Sequence, residues 1–200
     1  MRFGRAWRRE RPPVELLGLL EPGERVTGWA ELAGGGVALA TRLGLWLPAD
    51  RADPADRADA GGAVNAAEAE DQGYRRTPWH LVDKAAWDPP RLVLTVAAEG
   101  DPVGDAVALD EAPPRAFPLV IPRNLPREVR DRVTRSVRHS SHHAVAPRGG
   151  VWLVARRVSG QDGLAWQVRF DVGTDPGDPL VREQVSRLLA TARQALAPLG

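Results

Sequence analysis

The sequence predicts an α+β chain that is mostly β: seven short strands and a closing helix over residues 25–140, then a β-hairpin and terminal helix over 148–198. Three patterns carry that expectation. Val37, Leu39, Thr41, Leu43, Leu45 and Leu47 alternate with Ala38, Ala40, Arg42, Gly44 and Trp46, the two-residue period of a strand. Leu164, Trp166, Val168, Phe170 and Val172 alternate in the same way with Ala165, Gln167, Arg169 and Asp171. Leu125, Val129, Val133 and Val137 fall four residues apart, which places one narrow apolar stripe on a helix.

Residues 1–24 read as an arm followed by a short helix. The arm (1–12) is basic, and Phe3 and Trp7, four apart, would share one helical face. Val14–Leu20 is the short helix, ended by Pro22-Gly23 and too short to stand without packing on a sheet. A hairpin follows over 25–47, in which 25–32 runs out, Gly34–Gly36 turn, and 37–47 returns as one strand.

Residues 48–73 change character, with seven acidic residues against two arginines and little to bury. They predict a disordered acidic loop, or else a regulatory segment competing for a basic helix. Residues 74–88 re-enter as two short strands, with Trp79 and Trp87 expected in the floor of the fold. Strands are expected at Arg91–Ala97, Val103–Leu109 and Arg115–Ile121, separated by Gly and Pro punctuation. The closing helix starts near Asn124 or Leu125, tolerates Pro126 in its first turn and extends to Arg138. Strands 151–158 and 164–172 form the last hairpin, and Asp178-Pro179 opens a terminal helix with an N-cap and a proline at N1.

Length and composition set limits. Two hundred residues suffice for a sizeable core. With 27 basic and 26 acidic residues the formal net charge is +1, so no global field draws the chain to nucleic acid or an anionic bilayer. Lys84 is the only lysine, and the basic charge is otherwise arginine. The absence of cysteine excludes disulfides, thiolate metal sites and a cysteine nucleophile. The longest run without charge, Leu32–Thr41, has ten residues, about half of a spanning helix. Arg8-Arg9 suggests a twin-arginine signal, but the following VELLGLL is short, broken by Glu15 and lacks a small-residue cleavage site. A cytoplasmic location is the expectation.

Candidate chemistry is sparse. Arg127, Arg130, Arg135 and Arg138 on the closing helix form the candidate surface for an anion or partner. No aromatic residues interleave with them in sequence and no helix-turn-helix surrounds them, which argues against nucleic acid. His139, His142 and His143 would share a face if the helix continued, as zinc ligands or a pH switch require. The plainer reading is an exposed helix C-terminus, where imidazolium favours the dipole. There is no GxSxG elbow, HExxH, Walker loop or GxGxxG after a strand. His80 near Asp83 and Ser159 near Asp162 lack third members. No catalytic residue, cofactor or metal is assigned. Trp29, Trp46, Trp152 and Trp166 sit in strand patterns, as core or sheet-edge residues or as the lining of a small-molecule pocket.

The order of strands and closing helix over 25–138 resembles the PH-like domains of bacteria, related in outline to GRAM domains. In those, a T-x-x-x-L run ends one strand and an apolar-x-x-apolar element marks a following one. Thr41–Leu45 and Trp79–Val82 occupy these places here. Residues 12–48 also resemble the opening of a family of actinobacterial proteins of similar length. The resemblance implies a small seven-stranded barrel or sheet closed by a helix, serving as a non-enzymatic platform for protein contacts. Phosphoinositide-binding PH domains use a basic first loop, whereas Ala33–Gly36 carries no basic residue. The alternatives are peripheral association with anionic lipid, through the basic arm and the arginine helix, and small-molecule binding in an aromatic-lined pocket. The C-terminal hairpin is marginal alone, so it must extend the barrel sheet or form a homodimer.

Overall fold

The computed structural model describes residues 12–49 and 73–196. Residues 1–11 of the basic arm, the acidic segment over 50–72, and Pro198 and Gly200 lie outside the described residues. The fold is α+β and mostly β, as its periodicities predict. Strands β1 (Val26–Leu32), β2 (Val37–Thr41), β3 (Gly44–Pro48), β4 (Tyr74–Pro78), β5 (Val82–Asp88), β6 (Arg91–Val103), β7 (Ala106–Glu111) and β8 (Arg115–Ile121) precede helix α2 (Leu125–Ser136). Strands β9 (Val137–Ala144), β10 (Gly150–Arg156) and β11 (Ala165–Phe170) and helix α3 (Pro179–Leu196) complete it, and α1 is the single turn Val14–Leu17. The strands run in the order β4-β3-β2-β1-β8-β6-β7-β11-β10-β9, with β5 attached to β6 off this path. The sheet does not close into the expected barrel.

The return leg of the first hairpin is two strands. Thr41 ends β2, and its hydroxyl accepts from the amides of Leu43 (3.2 Å) and Gly44 (3.3 Å), folding Arg42-Leu43 into a turn. Leu39 then pairs with Trp46 and Ala40 with Leu45, so the alternation changes phase across the turn. Ala38, Ala40, Leu45 and Leu47 enter one core, while Val37, Leu39 and Trp46 enter another. Both faces of β2 are therefore covered, and all five of its residues are buried. α1 and the residues after it cover the second face: Leu16, Leu19 and Leu20 pack with Trp29, Leu39 and Trp46.

β6 also exceeds its expected bounds. It runs thirteen residues, to Val103, and the reversal comes at Gly104, where φ is +62°. Its first half pairs with β5 and β8, its second half with β7. β11 then adds to β7 in parallel, so the C-terminal hairpin extends the sheet. This second half has its own core, in which Val151, Leu153 and Val168 meet Val181, Val185 and Leu189 of α3. Asp178 caps α3 as expected, accepting from the Leu180 amide at 2.8 Å.

A buried polar cluster ties the halves together. Asp83 on β5 accepts from Arg156 of β10 at 3.3 Å and faces Arg169 of β11 at 2.7 Å. The side chains of Asp83 and Arg156 are 4% and 3% exposed. Arg156 also donates to Val82 O (3.3 Å) and to Ser136 Oγ (2.9 Å), and Arg169 reaches Glu111 at 2.6 Å. Removing one member of such a cluster leaves a charge stranded out of water. Asp83→Ala is expected to cost about 3–5 kcal/mol in urea unfolding. Glu183→Ala, which breaks only the exposed pair with Arg187, is expected to stay within about 0.5 kcal/mol. Equal midpoints for the two variants would contradict the role of the cluster.

Candidate binding surface

α2 forms because Leu125, Val129 and Val133 give it a buried stripe, with Pro126 in the first turn, where a missing amide hydrogen costs no helical bond. The stripe packs into the first core beside Ala38, Leu45, Val82 and Leu94. Asn124 fixes the approach by donating to Thr27 O at 2.8 Å. Gly28 of β1 lies directly under the helix, where a Cβ would stand 3.1 Å from Glu128 Cβ. The remaining faces of α2 carry charge to solvent.

These charges divide into two groups. Glu128 and Arg132 pair at 2.8 Å on the less exposed side. Burial pushes the Glu128 carboxyl upward, but hydrogen bonds from Arg132 and Thr27 outweigh it and hold the group below the usual carboxylate range. On the other side Arg127 and Arg135, 87% and 81% exposed, reach Asp131 only at 3.8 and 4.0 Å. Arg130 is exposed and makes no ion pair among the described residues. Arg127, Arg130, Asp131, Thr134 and Arg135 then form one wall of a groove of about 520 Å³.

Trp87 of β5 lines the same groove. It is 38% exposed, whereas Trp79 is buried at 4% with its indole N–H donating to Thr41 O at 3.0 Å. Only Trp79 is therefore a floor residue. Trp87 shares the face of Ala85, which touches the core, but stands near the end of β5, beyond the last buried layer. No aromatic neighbours the arginines in sequence, yet the fold brings one to them from about 40 residues away. The alternation of Ala85 and Trp87 just before Pro89-Pro90 was the signal available for it.

Arg138 does not join this surface. The helix ends at Ser136, Val137 turns to an extended backbone (ψ 125°), and Arg138 is an exposed residue of β9. The helical reading of the histidines fails for the same reason. β-branched Val137 and the Ser140-Ser141 pair favour an extended chain, and β10 offers an edge to pair with. His139 and His143 flank the Ser141 hydroxyl, each at 2.9 Å, on one face of β9. His142 is on the other, 2.7 Å from Asp171 and against Trp152. Among the described residues no three His, Asp or Glu side chains converge as metal ligands, and no helix is long and apolar enough to cross a membrane.

A second cleft, of about 390 Å³, lies where Arg42, Arg76 and His80 meet Ser159 and Gln161. Ser159 bridges it by donating to Arg42 O at 2.8 Å. Arg76 is neutralised by Glu21 at 2.6 Å and Glu24 at 3.8 Å. Of the other titratable groups that face His80, Glu99 lies 3.5 Å away. Burial lowers the His80 pKa, Glu99 opposes that, and Arg156 adds to it, with a net value below the ordinary 6.5.

Comparison with family models, with curated proteins and with solved structures finds no match for this chain.

The His80 shift has a defined sign. The unfolded chain takes up its proton first, so the contribution of neutral His80 is complete above 6.5 and is lost as pH falls through that value toward the folded pKa. Between about pH 7 and about pH 5 the wild type is expected to lose more thermal stability than His80→Gln, which cannot titrate. Parallel melting curves for the two proteins across that range would contradict the assignment.

Proposed function

We propose that this chain is a non-enzymatic, PH-like binding module that contacts a protein partner through the arginine face of α2 and Trp87. The observation that carries the reading is the groove itself. An exposed tryptophan and three arginines line it together, and Arg130 makes no ion pair among the described residues. Tryptophan and arginine are the side chains most enriched at the energetic centres of protein interfaces. The PH-like assignment draws support from the β1–β4 meander and from α2, which seals the core that β1, β2 and β5 leave open.

Peripheral membrane association is the second reading, favoured by the same pairing of an interfacial tryptophan with arginines. The two differ in fractionation and in salt response. Tagged protein incubated with soluble and membrane fractions of source lysate should retain a protein from the soluble fraction. Trp87→Ala or Arg130→Glu should weaken that retention about tenfold or more while leaving the melting temperature unchanged. Retention only with membranes, abolished by raised salt, would transfer the surface to anionic lipid. A hydrolase or transferase activity removed by a single substitution would end the non-enzymatic reading altogether.

A further inference from the structure

The groove has a second property, carried by backbone rather than side chains. β5 pairs with β6 along its whole length, and among the described residues no strand pairs with its opposite edge. The N-terminal part of that edge is occupied, because Val82 O accepts from Arg156 and the Asp83 carboxylate is held by Arg156 and Arg169. The C-terminal part, Ala85–Asp88, carries Trp87 into the groove beside α2. In an antiparallel pair every second residue directs both its N–H and its C=O away from the partner strand. Such a row of peptide groups is a template for one more strand.

We infer that the groove takes an extended acidic peptide segment, which adds as a strand to the edge of β5 left unpaired among the described residues, alongside the arginine face of α2. This rests on the reading of this face as a protein-binding surface. Charge selects the acidic character. Arg127, Arg130 and Arg135 face the groove against Asp131 alone, and Arg130 makes no ion pair among the described residues. Side chains alternate along a strand, so carboxylates at every second position of the guest would all turn toward the helix. An apolar guest side chain among them would lie on the exposed part of Trp87. The backbone edge selects a peptide over a lipid, since acyl chains offer no N–H and C=O groups to it.

The test uses the full chain and a fluorescein-labelled peptide alternating glutamate with valine, with one tyrosine among the glutamates. Two further versions carry backbone N-methyl groups on one or the other set of alternate residues. Saturable binding is expected, weakened about tenfold by Arg130→Glu or Trp87→Ala in proteins of unchanged melting temperature, and weakened by salt. One N-methylated version should lose binding and the other keep it, because only one set faces β5. Equal binding of all three versions would mean contact through side chains only and would overturn strand addition. So would binding to phosphatidylserine vesicles but not to the peptide. A peptide that fails to bind while groove-dependent retention of a lysate protein persists refutes the strand mode and leaves the protein-binding face standing. Retention indifferent to both substitutions removes the face, and the inference with it.

Discussion

The Asp83 carboxylate is the constraint on which the assembly of this molecule depends. It sits on β5, within the first half of the fold, yet both guanidiniums that it faces belong to the last hairpin. With 4% of its side chain exposed, Asp83 has little water to replace those two partners. Arg156 is equally committed, for its burial is matched by Asp83, Val82 O and the Ser136 hydroxyl together. Burial lowers the Arg156 pKa, Asp83 opposes that, and the neighbouring Arg169 adds to the lowering. The hairpin therefore docks in one register or strands a cation. Apolar contacts alone would be less selective, because the second core can be filled by many packings of Val and Leu.

The same cluster explains how one sheet serves two cores. β6 is long enough to belong to both, and its change of partners from β5 and β8 to β7 hands the sheet over. Each half then has its own helix, α2 on the first and α3 on the second. The edge of β5 left unpaired among the described residues is a by-product of this arrangement. The strand carries Val82 and Asp83 inward, and the continuation of the sheet runs through β6 instead.

Much of this was legible in the sequence, and what was not had definite physical causes. β11 follows from its alternation, β8 from the Gly and Pro punctuation around it, and the start of α3 from its Asp178-Pro179 cap. The β2–β3 break was hidden because burial on both faces leaves no polar face to mark a change of phase. Its signal, Thr41 bonding Leu43 and Gly44, is a side-chain turn inside an apolar run. β9 was misread because its valine and histidine spacings also fit a helix, and only the edge of β10 decides between them. Of the four candidate arginines, three face the groove and Arg138 follows β9 away from it. Trp87 and the Asp83 cluster are products of distant pairing, which a single sequence does not display.

α2 passes into β9 with no connecting residue, Ser136 closing the helix and Val137 opening the strand. A loop would absorb a small movement of the helix through its own torsions, whereas this junction has no slack. Ser136 is additionally pinned, donating to Val133 O and held by Arg156. Displacing α2 away from β5 must therefore either unwind its last turn or shear β9 along β10. The groove wall and the far margin of the sheet form one mechanical linkage, with the buried guanidinium of Arg156 as its pivot.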